Sequence, residues 1–135
     1  MHSKLLSSLP LLEVKTKMGT CLIDVNRILY IEAKNKRSHI CLDDLSILET
    51  CHMLKWYQER LLEPEFLRCH NSYIVNCLHV KVYKNNTLRM GDKLQIPMSR
   101  KKSRYCIDNI TILKKIAYQS LHKDDMYSLL LQSTS

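Results

Sequence analysis

The apolar positions of this chain fall in short runs broken by polar turn signals, and most of those runs predict strands. Leu11–Lys17 is the first, after a leader that ends at Pro10. Met18-Gly19 supplies a tight turn, glycine allowing the positive φ such a turn needs, and Thr20–Asp24 returns. VNRILYIEAKN has so little polar interruption that it predicts a strand buried on most of its surface. The polar loop Lys34–His39 leads into a strand at His39–Leu42, Asp43-Asp44 is a turn signal, and Leu45–Leu48 returns. The spacing then changes. Leu54, Tyr57 and Leu61 stand three and four apart, which predicts a helix over about Cys51–Leu62, capped by Thr50 and ended by Pro64. Further short runs lie around Tyr73–Asn76 and Lys93–Ile96. NITILKKIAYQSL, residues 109–121, is ambiguous between strand and helix and fits a helical face slightly better, with Asp108 or Asn109 as its cap. The pattern describes a mostly β protein with a small α component: one central helix and one at the C-terminus.

Charge adds a direction to this picture. Residues 68–104 hold nine Lys or Arg against the single acid Asp92, whereas 1–67 and 105–135 each balance. The whole formal charge of +8 therefore sits in one segment. Such asymmetry concerns a partner more than a fold: nucleic acid first, a merely solubilising face as the bland alternative, and an anionic membrane surface last. A length of 135 residues accommodates one hydrophobic core and not two, and a 45% hydrophobic fraction argues against disorder.

Six cysteines, at 21, 41, 51, 69, 77 and 106, form no CxxC pair and mostly lie within apolar runs such as GTCLI and VNCLHV. They read as reduced thiols acting as small hydrophobes, with no structural zinc site and no other metal or cofactor. The first fifteen residues lack the apolar region and cleavage site of a secretory leader, and no apolar run approaches eighteen residues. A cytoplasmic location is the expectation, any membrane role passing through another protein.

Three polar clusters are candidates for chemistry. His70 and Asn71, between FLRC and SYIVN, either satisfy backbone groups at a turn or place an amide where it can pair with an adenine edge. His39 follows KNKRS, so Lys34, Lys36 and Arg37 would suit phosphates beside a histidine near a groove edge. Arg100 is the first cation after the Pro97-Met98 junction and is better positioned than its neighbours for guanine or phosphate; Lys101, Lys102 and Arg104 read as phosphate contacts. An enzyme is not indicated. Histidines 39, 70 and 79 and cysteines 69 and 77 lack metal spacing, adjacent Cys69 and His70 make a poor nucleophile and base, and no Gly-rich phosphate loop is present.

Three separated motifs, ILYIEAKNKRSHI, FLRCHNSYIVN and LRMGDKLQIPMSR, resemble in order and spacing the LytTR DNA-binding domain of bacterial transcription regulators. The resemblance covers about Glu13 to Arg104, dividing the chain into a leader at 1–12, the domain at 13–104 and a C-terminal extension at 105–135, expected to be helical. It implies short antiparallel sheets with a small helix, and sequence-specific binding of double-stranded DNA by loops that enter successive major grooves, commonly as two copies on paired sites. It also implies base or groove contacts at His39, Asn71 and Arg100, with His70 beside them. Many relatives carry Arg where this chain has Asn71, so the base preferred there is expected to differ.

Two departures accompany the resemblance. Many relatives begin with a phosphoacceptor receiver domain, for which the residues before the match leave no room, so control by a histidine kinase on this chain is not expected. Some stand-alone relatives are held inactive by a membrane protein, which makes such an inhibitor a candidate partner. The 105–135 extension is neutral and apolar, suiting core capping, self-association or that partner's docking. An interaction module built on a DNA-binding-like scaffold is therefore the alternative function.

Overall fold

A computed structural model describes residues 10–121. The leader before Pro10 and the end of the extension after Leu121 lie outside the described residues. Ten strands and two helices follow in order: β1 Leu11–Thr16, β2 Gly19–Asp24, β3 Ile28–Lys34, β4 Arg37–Leu42, β5 Ile47–Thr50, α1 Leu54–Gln58, β6 Phe66–His70, β7 Tyr73–Asn76, β8 Val82–Lys84, β9 Thr87–Met90, β10 Leu94–Pro97 and α2 Ser103–Leu121. Every strand pair is antiparallel. The chain is mostly β, as its pattern predicts.

A five-stranded sheet, in the order β5-β4-β3-β7-β6, forms the middle layer. Alternation along β3 and its partners gives this sheet two apolar faces. Ile31, Ile40 and Ile74 stand opposite one another and pack with Leu12, Val14 and Ile23 of the β1-β2 hairpin and with Leu54 and Tyr57 of α1. Cys41, Val75 and Leu67 belong to the other face, which packs with Leu88, Met90 and Ile96 of the β10-β9-β8 sheet and with Cys106 and Ile110 of α2. A bulge between Ile28 and Tyr30 lets the consecutive Leu29 and Tyr30 both join that second cluster. Asn76, fully buried, donates from Nδ2 to the Ile28 carbonyl at 2.9 Å and accepts the Leu78 N–H at 3.1 Å, tying the end of β7 to β3.

The boundaries differ from the sequence expectation in several places, four of them outside the β3-β4 connection. Thr50 ends β5 and caps nothing: its hydroxyl is buried between Ser38 Oγ at 2.6 Å and the Tyr57 hydroxyl at 2.5 Å. The central helix consequently begins only at Leu54, with Met53 as an N-cap that offers no side-chain bond, and lasts five residues. The strand expected at Leu45–Leu48 starts at Ile47, because Leu45 turns the chain with a φ of 67°. The C-terminal helix starts at Ser103, ahead of Asp108, and Asn109 donates to the Tyr105 carbonyl one turn back.

Candidate nucleic-acid interface

The connection between β3 and β4 is tighter than its composition suggests. Asn35 and Lys36 both have positive φ, 48° and 65°, which is the two-residue hairpin turn whose twist matches the flanking strands. Lys34 and Arg37 are already paired strand residues, so the loop expected over Lys34–His39 shrinks to Asn35 and Lys36. His39 accordingly sits inside β4 and not at a loop boundary.

That shift gives His39 defined neighbours. Glu49 and Glu32 stand opposite it on β5 and β3, Glu32 stands opposite Tyr73 on β7, and Tyr73 stands opposite His70 on β6. Directly opposed residues in an antiparallel sheet share a face, so Glu49, His39, Glu32, Tyr73 and His70 form one row across all five strands. Three strand spacings separate His39 from His70, about 14 Å. The row lies on the same face as Tyr30, Cys41 and Val75, at the end of the sheet bounded by the β3-β4 and β6-β7 turns. The Tyr73 hydroxyl donates to Glu32 Oε2 at 2.7 Å, and its ring lies 5.8 Å from that of His70. Burial, with the Glu32 carboxylate adding to it, pushes the Tyr73 phenol up to about 12, so it stays a donor.

His70 joins this row because β6 is bulged. Arg68 and Cys69 together oppose the single residue Ile74 between the pairs Leu67–Val75 and His70–Tyr73. At the following turn His70 Nδ1 accepts the Ser72 N–H at 3.0 Å, and Ser72 returns its carbonyl to the Ala33 N–H at 2.8 Å. His70 thus serves the turn. Asn71 is exposed, and its side-chain amide makes no hydrogen bond among the described residues. The two residues that the sequence left together therefore differ in their hydrogen bonding.

Arg100 reaches this end of the sheet through two anchors. Buried Met98 donates its N–H to the Asn86 carbonyl at 2.8 Å, and Ser99 donates to the Cys69 carbonyl on β6 at 2.8 Å. Ser99 then accepts the Lys102 N–H with its carbonyl at 3.1 Å, closing the turn into α2. Arg100 and Lys101 project from that turn, exposed, and Arg104 from the first turn of the helix. Four cations consequently surround a helix start with no acid in its first turn, where the helix dipole is itself positive.

The remaining cations divide into paired and unpaired. Lys34 Nζ lies 3.8 Å from Glu32, Arg37 4.0 Å from Glu49, and Lys102 Nζ donates to the Arg68 carbonyl at 3.4 Å. These contacts are exposed and loose enough to be exchanged for phosphate at little cost. Lys36 is exposed at its turn. Four of the nine cations of the basic segment lie elsewhere: Lys81, Lys84, Arg89 and Lys93 belong to the three-stranded sheet and its connections, and His79 is engaged with the Asn26 carbonyl at 2.9 Å. Sequence reasoning counted Arg68 only as charge and missed Glu32 and Tyr73. The signal for Arg68 was present, since it is a cation between Leu67 and Cys69, both fully buried in a strand.

No group of three or more His, Cys, Asp or Glu among the described residues is arranged to hold a metal ion, and no described helix is long and apolar enough to cross a membrane. The family model for the LytTr DNA-binding domain matches residues 18–110, more than half of the chain. This chain belongs to the LytTr DNA-binding domain family. Among solved structures it is similar to the LytTr DNA-binding domain of a protein described as a methyl-accepting/DNA response regulator from Bacillus cereus, at 26% identity and a TM-score of 0.60, over 71% of this chain and 92% of that one. No curated protein matches. LytTr membership points to a DNA-binding, regulatory role and not to catalysis.

Proposed function

We propose that this LytTr domain is a transcription regulator that binds duplex DNA sequence-specifically with the turn-bearing end of its five-stranded sheet. The observation that carries the proposal is the Ser99 N–H bond to Cys69, which brings the Arg100 turn beside the hairpin bearing Asn71, in the sheet whose cross-strand row contains His39. Asn71 and Arg100 offer the two side chains best suited to bidentate pairing with adenine and guanine, and both are open. His39 lies further along the row, towards the β3-β4 turn, and His70 supports the Asn71 turn from behind. Lys36, Lys101 and Arg104, with Lys34, Arg37 and Lys102 released from their loose contacts, would hold the backbone on either side. Two copies on paired sites would extend the same contacts along the duplex.

Selection of bound duplexes from a random pool at fixed salt tests this. A recovered consensus, competed poorly by random duplex, is the expected result; enrichment without consensus would leave only a basic surface.

One observation favours a second reading. Tyr105, Ile112, Ile116 and Leu121 leave large apolar side chains exposed on α2, which suits an interaction module that regulates, or is sequestered by, another protein, a membrane protein included. Truncation after Arg104 would not test it, because Cys106 and Ile110 are buried in the core. A double Ile112→Asp, Ile116→Asp variant does: loss of partner association with duplex affinity intact supports this reading, and retention of both rejects it.

A further inference from the structure

Arg68 occupies an unusual place for a cation. By alternation from Leu67 it stands on the face opposite the His39–His70 row, towards α1, and its guanidinium makes two bonds of equal length. One terminal nitrogen donates to Gln58 Oε1 at 2.8 Å, the other to the Asn71 carbonyl at 2.8 Å. The third donor, Nε, is buried and has no partner, alone in that respect among the buried side-chain nitrogens and oxygens of the described residues. A buried unpaired donor costs free energy. The side chain is therefore held in a geometry that satisfies its two ends at the expense of its middle. Meanwhile the Arg68 carbonyl accepts Lys102 Nζ at 3.4 Å, and the next carbonyl, Cys69, accepts Ser99 N–H. One residue and its neighbour thus connect α1, the Asn71 turn and the Arg100 turn.

We infer that Arg68 is a positioning residue for DNA recognition: its planar fork fixes the Asn71 turn against α1, and so sets where the Asn71 amide meets a base edge. The inference rests on the DNA-contact reading of Asn71 above. Lysine retains the charge but not the fork, so it cannot span Gln58 and the Asn71 carbonyl with two fixed donors. A phosphate contact at residue 68 would tolerate lysine; a positioning role would not.

The test uses the full chain and four proteins: wild type, Asn71→Ala, Arg68→Lys and Gln58→Ala. Affinities are measured for the selected duplex, for single-base-pair variants of it and for random duplex, across a salt series, with thermal melts to establish folding. Asn71→Ala identifies the base pair that Asn71 reads. Arg68→Lys is expected to lose about tenfold of the discrimination at that same base pair, with the salt slope unchanged. Gln58→Ala, an exposed and uncharged change on the far anchor, is expected to lose a smaller part of it, which decides the matter should Arg68→Lys fail to fold. Wild-type discrimination in folded Arg68→Lys, or in Gln58→Ala where the lysine variant does not fold, overturns the inference, as does a loss spread equally over all duplexes. If Asn71→Ala itself changes no preference, the reading of Asn71 fails first and the inference falls with it.

Discussion

The Tyr73 hydroxyl donates to Glu32 Oε2 at 2.7 Å, fixing a carboxylate in the middle of a face otherwise surrounded by cations. Glu32 also lies 3.8 Å from Lys34. Its charge opposes phosphate while its geometry holds the row together. Glu32→Gln keeps an acceptor for the tyrosine and removes the charge. It is expected to strengthen binding to any duplex by up to about 1 kcal/mol at low ionic strength, the gain shrinking as salt rises. Titrations of random duplex at several salt concentrations check this, and an unchanged or weaker affinity at low salt would remove Glu32 from the interface.

Arg100 and Lys36 should fail differently. Arg100→Ala is expected to weaken binding to the selected site by about 1–3 kcal/mol and to relax preference at one base pair. Lys36→Ala, at the opposite turn, should weaken selected and random duplex alike and lower the salt slope by about 1. Parallel losses for both variants on both duplexes would reject the division into base and phosphate contacts.

Beneath the sheet, Ser38, Thr50 and Tyr57 satisfy one another's buried hydroxyls. Tyr57→Phe preserves the packing and leaves Ser38 and Thr50 one partner short. A stability loss of about 1–2 kcal/mol is expected in urea unfolding, with duplex affinity unchanged in the folded protein. A neutral result would mean that the two remaining hydroxyls rearrange without cost.

His52 makes stability depend on pH. Its Nε2 accepts the Lys15 N–H at 3.0 Å, while Cys51 donates to the Lys15 carbonyl at 2.9 Å, and together these attach the β1-β2 hairpin to the sheet. An accepting Nε2 must be unprotonated. Burial, followed by the nearby charges of Arg60 and Lys15, holds the His52 pKa below its usual value. The unfolded chain therefore binds the proton more readily. The stabilisation is fully present above the unfolded-state pKa of about 6.5 and is lost as pH falls through the lower folded-state value. Melting temperatures from pH 7.5 downward should fall less steeply in His52→Gln than in wild type; parallel curves would show that the imidazole is not the titrating group.

The legible part of the fold was that governed by local pattern. The β1-β2 hairpin, the buried run Ile28–Lys34 and the turn around Asp43-Asp44 follow from alternation and turn residues. Thr50 misled because a threonine before a helical spacing has the chemistry of a cap, and only the distant Ser38 and Tyr57 reveal that its hydroxyl is spent elsewhere. His39 misled for a related reason: KNKRS has a loop's composition, yet a two-residue turn leaves Arg37 and Ser38 paired in a strand. The cationic segment was legible as a sum and not as a surface, since sheet topology takes Lys81, Lys84, Arg89 and Lys93 to another sheet. Arg68 was legible only in part: a cation inside the apolar run FLRC marks it, but its partners Gln58 and the Asn71 carbonyl come together only in the fold.

The bond from Ser99 to Cys69 has a second consequence, for solubility. β6 is an edge of the five-stranded sheet, and an open edge invites strands of other molecules to pair with it. Ser99 occupies one of the carbonyls such a strand would need, and the cationic turn that follows repels a second copy of itself. The segment that carries Arg100 therefore also covers part of the β6 edge. Loosening it should produce a protein that aggregates through β6, and variants at Ser99 or Met98 selected for weak DNA binding would carry that liability with them.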